Sequence, residues 1–201
     1  NSLRKDIIAF PGAEIRLANH VGALRGLVIG GSLVAVRLNE LVPEAVSKIE
    51  SAARPEVWHQ TGLKNYDAAQ ALYNKFNVDA RVDAFVDDMA AAYAWADVVI
   101  CRAGAMTVFE LAAAGVASIL VPYPYAVDDH QTVNAEYLEK VYAAIVCQQK
   151  DMYAEWLKLT ITELMQQRDR LLRMAKSARS QAKPDAANDV AERCMLAGGL
   201  K

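Results

Sequence analysis

The chain has 201 residues, 54% of them hydrophobic and 23% charged, with 22 Lys and Arg against 24 Asp and Glu. This composition excludes an unfolded polar tail and supplies enough apolar surface for a self-sufficient core. A net charge of −2 with no basic block argues against a protein that tracks a nucleic-acid backbone. Cys101, Cys147 and Cys194 are widely spaced with no CxxC pair, which predicts reduced thiols in a cytoplasmic protein rather than a disulfide scaffold or zinc site. No apolar run reaches the ~20 residues of a membrane span, and NSLRKDIIAF does not read as a signal peptide.

Short β-prone runs alternate with helical stretches along the chain. After a leader (residues 1–24), the run Gly26–Ile29 leads through Gly30-Gly31-Ser32-Leu33-Val34-Ala35 into apolar residues at helical spacing: Leu38, Leu41, Val42, Ala45, Val46 and Ile49. Strand-like runs follow at Glu56–His59 and Arg81–Ala84. Asp97–Ile100 precedes Cys101-Arg102-Ala103-Gly104-Ala105-Met106-Thr107-Val108-Phe109-Glu110 and a helix around Leu111. Ser118–Val121 runs through Pro122-Tyr123-Pro124-Tyr125 to a helix from His130 to Leu138, and Ala144–Cys147 is the sixth strand. From about Asp151 the pattern is helical only: Trp156–Met165, a basic helix Arg170–Gln181, and a third opening at Lys183-Pro184-Asp185, with Pro in a first-turn position. Strands alternating with helices predict one Rossmann-like α/β domain over 1–201: an open parallel sheet of about six strands covered on both faces, with an alternating core (25–150) and a helical tail (151–201).

Three strand-to-helix loops carry polar groups to the C-terminal edge of such a sheet, where open α/β folds bind ligands. Gly30 and Gly31 allow backbone N–H groups to approach an anion, or else form a tight turn with Ser32 as helix N-cap. Val34 stands where a further close-approach glycine would help. Glu110, in the first turns of its helix, suits a pair of sugar hydroxyls; Thr107 and Glu110, three apart, also read as a capping box. The Pro-rich loop after Val121 presents Asp128, Asp129, His130 and Gln131.

The strings GGS…A…LN (Gly30–Asn39), WHQTG (Trp58–Gly62), FVDDMAAAYAWADVVICRAGAMTVFELAAAG (Phe85–Gly115), VPYPYAVDDHQTVNA (Val121–Ala135) and PDAANDVAE (Pro184–Glu192) resemble the MurG family. These bacterial transferases add N-acetylglucosamine to a lipid-linked peptidoglycan precursor. The resemblance covers essentially the whole chain but only the C-terminal half of the family, beginning near a hinge segment at Asn1-Ser2-Leu3-Arg4. It implies a domain that holds UDP-N-acetylglucosamine, with no cofactor and no metal. By the matching motifs, Ser32 contacts the donor diphosphate, Val86 borders the uracil, and Ala105, Met106 and Thr107 lie along the nucleotide. Glu110 takes the ribose hydroxyls, and His130 with Gln131 contacts the sugar. The membrane-borne acceptor and the general base belong to the other half, so no catalytic residue is assigned here and no independent transfer is expected.

The chain departs from the family pattern GGSQGA at Leu33 and Val34, and carries Val36, Phe109, Tyr125 and Tyr142 where the family tends to smaller or polar residues. Two expectations follow. In one, Leu33, Val34, Val36, Met106, Phe109, Tyr125 and Tyr142 form an apolar patch, natural or engineered, through which the domain makes a homodimer or binds a protein partner while the donor site is narrowed or closed. In the other, the domain remains a working UDP-N-acetylglucosamine-binding half of an inverting transferase.

Overall fold

The computed structural model describes residues 12–18, 22–30, 35–126 and 129–182, together with Ile7 and His20. Six strands, β1 (Arg25–Ile29), β2 (Glu56–Gln60), β3 (Arg81–Asp83), β4 (Val98–Cys101), β5 (Ala117–Leu120) and β6 (Ala144–Val146), form one sheet in the order β3-β2-β1-β4-β5-β6. Every pairing is parallel. This is the expected Rossmann-like architecture. The central strands β4 and β5 are buried along their whole length, which explains why V-V-I-C and A-S-I-L read as unbroken apolar runs.

Eight helices accompany the sheet among the described residues: α1 (Ala13–Ala18), α2 (Val36–Ser47), α3 (Tyr66–Lys75), α4 (Met89–Trp95), α5 (Ala105–Ala114), α6 (His130–Glu139), α7 (Ala154–Gln166) and α8 (Arg168–Ser180). Two apolar layers result. Val28, Ile100 and Ile119 pack with Leu38 and Val42 of α2, Tyr73 of α3, and Leu157 and Ile161 of α7. Leu27, Val99 and Leu120 pack on the other face with Tyr93 of α4, Val108 and Leu111 of α5, and Leu138 of α6. Each such fully buried side chain stabilises the fold by roughly 1.5–3 kcal/mol. Helices α3 and α4 escape simple periodicity: α3 buries only Ala69 and Tyr73, and α4 is a short alanine-rich segment. The third tail helix expected at Lys183 lies outside the described residues.

The leader is fastened to the N-terminal edge of the sheet. Arg16 donates to the carbonyls of Tyr93 (3.2 Å), Ala96 (3.1 Å) and Gly115 (2.5 Å). Asp97, 4% exposed, accepts from Arg25 N–H (2.9 Å) and Arg168 (3.0 Å) and pairs with His20 Nδ1 (3.0 Å).

Helices α3, α5 and α6 end alike, each followed by a left-handed residue: Asn77 (φ 50°), Gly115 (φ 61°) and Tyr142 (φ 58°). In α6, Tyr142 N–H donates to Glu139 O (2.8 Å) and Ala143 N–H to Leu138 O (2.9 Å), the paired bonds of a Schellman ending. Glycine or asparagine satisfies that geometry without strain; tyrosine does not.

Behind the end of β1 lies a buried polar network. His59 Nε2 is 3.0 Å from Asn39 Oδ1, and its Nδ1 is 2.8 Å from the Tyr73 hydroxyl. Asn39 Nδ2 donates to Thr61 O (3.2 Å), so Oδ1 must accept; His59 therefore carries its proton on Nε2, and Tyr73 O–H donates to Nδ1. Burial lowers the His59 pKa from 6.5 to about 3 and keeps the ring neutral.

Tyr142→Gly should raise stability by about 0.5–1 kcal/mol, because relief of left-handed strain (~1–2 kcal/mol) exceeds the entropy that glycine adds to the unfolded chain. The measurement is a thermal midpoint a few degrees higher. Because His59 binds its proton only in the unfolded chain as pH falls below 6.5, its contribution is complete above that pH and is lost on acidification toward 3. Urea melts from pH 6.5 to 5 should show stability falling by about 1 kcal/mol per pH unit, a slope that His59→Gln largely removes.

Candidate functional site

Strands β1 and β4 are neighbours in the sheet, yet the helices that follow them, α2 and α5, cover opposite faces. The strand order therefore switches direction at this point, opening a crevice beyond their C-terminal ends. Four connections converge on this edge: those after β1, β3, β4 and β5.

In the first connection, Gly31, Ser32, Leu33 and Val34 lie outside the described residues. Gly30 was expected to offer its N–H to an anion, but that N–H is already committed to Gln60 O at 2.7 Å, extending the β1–β2 ladder. Its lack of a side chain has another cause: a Cβ here would overlap Asn39 Oδ1 and come within 3.1 Å of His59 Nε2. The close approach is to the buried network. Val86, in the connection after β3, is half-buried against the α4–α5 side of the core.

The connection after β4 places Ala105 and Met106 exposed and Thr107 half-buried in the first turn of α5. The capping box expected from Thr107 and Glu110 does not form. Gly104 is the N-cap and makes no side-chain cap bond, so Thr107 is already inside the helix and Glu110 lies one turn further on. Glu110 Oε2 instead accepts from the buried Tyr93 hydroxyl at 3.0 Å. Burial, followed by the charge of Glu110, raises the Cys101 pKa to about 12, so this thiol stays protonated. Cys101 and Cys147 are both free and buried. Cys194 lies outside the described residues.

The connection after β5 is tied down by side chains. The buried Arg102 guanidinium donates to Val121 O (3.1 Å), Pro122 O (3.2 Å) and Gln149 Oε1. Tyr123 N–H donates to Gln131 Oε1 (3.0 Å), and Asn134 Nδ2 donates to Ala103 O (3.1 Å). His130 is exposed at the first position of α6, after Asp129 in a left-handed conformation. Arg102, Asn134 and Tyr93 were not among the expected site residues. A charged side chain immediately after a buried strand was the one available signal, and it pointed to Arg102.

Val36, Met106, Phe109 and Tyr125 are all exposed. Phe109 also contacts the Tyr137 ring at 6.2 Å between centroids. Tyr142 does not join them. It is 85% exposed but precedes β6, at the opposite edge of the sheet, where it borders a cleft of about 440 Å³ with Arg170, Arg173 and Met174. Of the seven residues expected to form one patch, the five described ones are thus divided between two ends of the domain, and Leu33 and Val34 lie outside the described residues. No three His, Cys, Asp or Glu side chains among the described residues are grouped to hold a metal ion.

Residues 26–190 match the glycosyltransferase family 28 C-terminal domain. The chain is 49% identical over 197 residues to the UDP-N-acetylglucosamine--N-acetylmuramyl-(pentapeptide) pyrophosphoryl-undecaprenol N-acetylglucosamine transferase of Marinobacter nauticus, covering 98% of this chain and 54% of that protein. It is 52% identical over 194 residues to the transferase of the same name from Cupriavidus necator, covering 96% and 54%. The chain therefore spans about half the length of these relatives. The crystal structure of Acinetobacter baumannii MurG is similar with a TM-score of 0.85 at 42% identity, over 92% of this chain and 53% of that one. Glycosyltransferase VinC, solved with dTDP, shares the fold at a TM-score of 0.60 and 17% identity, over 88% and 43%. The chain belongs to the glycosyltransferase family 28 C-terminal domains and is a MurG-like member of them.

Proposed function

We propose that this domain is the donor-binding half of an inverting N-acetylglucosamine transferase of cell-wall synthesis, and that it holds UDP-N-acetylglucosamine in the crevice beyond β1 and β4. The observation that carries this is Glu110: a carboxylate held by a buried hydroxyl beside the topological switch of the sheet. The Marinobacter relative's name specifies the same donor.

In this role Glu110 accepts hydrogen bonds from the ribose hydroxyls, Val86 borders the uracil, and Ala105, Met106 and Thr107 flank the nucleotide. Ser32 contacts the diphosphate. The first-turn N–H groups of α5, which Gly104 leaves without a side-chain cap, present the positive end of a helix dipole to that charge. Such donors stabilise the negative charge that grows on UDP as the sugar departs. Gln131 commits Oε1 to Tyr123 N–H, which leaves its amide N–H groups to donate to the sugar together with His130. The lipid-linked acceptor falls to the half of the relatives that this chain does not span, so the role proposed for these residues is donor binding. No helix among the described residues is long and apolar enough to cross a membrane.

Titration calorimetry should detect micromolar UDP-N-acetylglucosamine binding, with Glu110→Ala weakening it by about 10-fold or more, near 1.4 kcal/mol. Equal affinity of variant and parent would refute the assignment.

The exposed Val36, Met106, Phe109 and Tyr125 favour a second reading, in which this edge is also an interface for a second copy or a protein partner. Sedimentation at tens of micromolar should then show a dimer that Phe109→Asp disperses and that UDP-N-acetylglucosamine, sharing the edge, drives toward monomer. A strict monomer rejects self-association.

A further inference from the structure

Glutamate is a flexible side chain, and a carboxylate on the rim of a crevice samples several rotamers unless something holds it. Glu110 is half-buried in α5, and its Oε2 accepts a hydrogen bond of 3.0 Å from the Tyr93 hydroxyl, 17 residues away in α4. Tyr93 is itself immobilised. Its ring is 1% exposed within the apolar layer that contains Leu27, Val99 and Leu111, and its backbone carbonyl accepts a hydrogen bond from Arg16 of α1 at 3.2 Å. The phenol therefore reaches Glu110 from a rigid base.

We propose that Tyr93 is a positioning residue for nucleotide recognition: its hydroxyl holds Glu110 Oε2 so that the remaining carboxylate lone pairs face the crevice and accept the vicinal hydroxyls of a nucleoside diphosphate. The inference rests on the donor-binding role proposed above and adds the group that aims its principal ligand. An ionised carboxylate has about four acceptor positions, so one bond to Tyr93 leaves enough to engage two hydroxyls. The raised pKa of Cys101, pushed up by burial and then by Glu110, agrees with a carboxylate held close to the buried end of β4.

Titration of the full chain with UDP and with 2′,3′-dideoxyuridine diphosphate tests the proposal. Tyr93→Phe keeps the packed ring and removes only the donor. It should weaken UDP about 5–10-fold at a thermal midpoint close to the parent's, leave the dideoxy analogue's affinity unchanged, and add nothing further in a Glu110→Ala background. Equal weakening of both nucleotides would show a merely structural role and overturn the proposal. Unchanged UDP affinity in Tyr93→Phe, with Glu110→Ala still impaired, would overturn it while leaving the donor site intact. Absence of UDP binding by the unsubstituted chain would overturn both.

Discussion

A sheet whose strands all run parallel must be covered on both faces, and that requirement organises this domain. Each strand returns to the sheet through a helix, so every strand-to-helix connection emerges at the same edge. With the order β3-β2-β1-β4-β5-β6, the return path changes face between β1 and β4, and the edge acquires a crevice there. The position of the site is therefore a consequence of strand order. The residues that line it only decide what it holds.

Two sets of polar contacts then make the two edges rigid in different ways. At the N-terminal edge, the buried Asp97 and the half-buried Arg16 join the leader, the sheet and α8. At the C-terminal edge, the connections are joined mostly by side chain to backbone bonds: Arg102 to Val121 and Pro122, Asn134 to Ala103, and Gln131 to Tyr123. Behind them the neutral His59, Asn39 and Tyr73 support the end of β1. These contacts fix the described parts of the connections in place within the fold itself, before any ligand arrives.

The departures from the family pattern divide along the same geometry. Val36, Met106, Phe109 and Tyr125 stand exposed and bear on what the crevice edge can touch. Tyr142 belongs to a different problem, a left-handed helix ending at the far edge, so its cost is conformational. Residues that look alike in the sequence as gains of apolar surface thus have separate physical consequences.

The strands were legible in the sequence because parallel central strands are buried on both faces and must be continuous apolar runs, as at Val98–Cys101 and Ala117–Leu120. Glu110, His130 and Gln131 were singled out by motif resemblance, since they sit in long characteristic strings after strands. Local spacing misled at Thr107 and Glu110, where it favoured a capping box and Gly104 took the cap. It misled again at Gly30, whose N–H and missing side chain serve the interior. Nothing in the chain order pairs Tyr93 with Glu110, Arg102 with Gln149, or Asn39 with His59, because those partners lie on different elements. The sequence by itself determined the alternation of strand and helix, since burial of repeating apolar groups is a local pattern. Which polar groups meet, which edge each exposed aromatic occupies and which N–H groups remain open were decided only by the tertiary structure, because those depend on the order in which strands pack and not on their order along the chain.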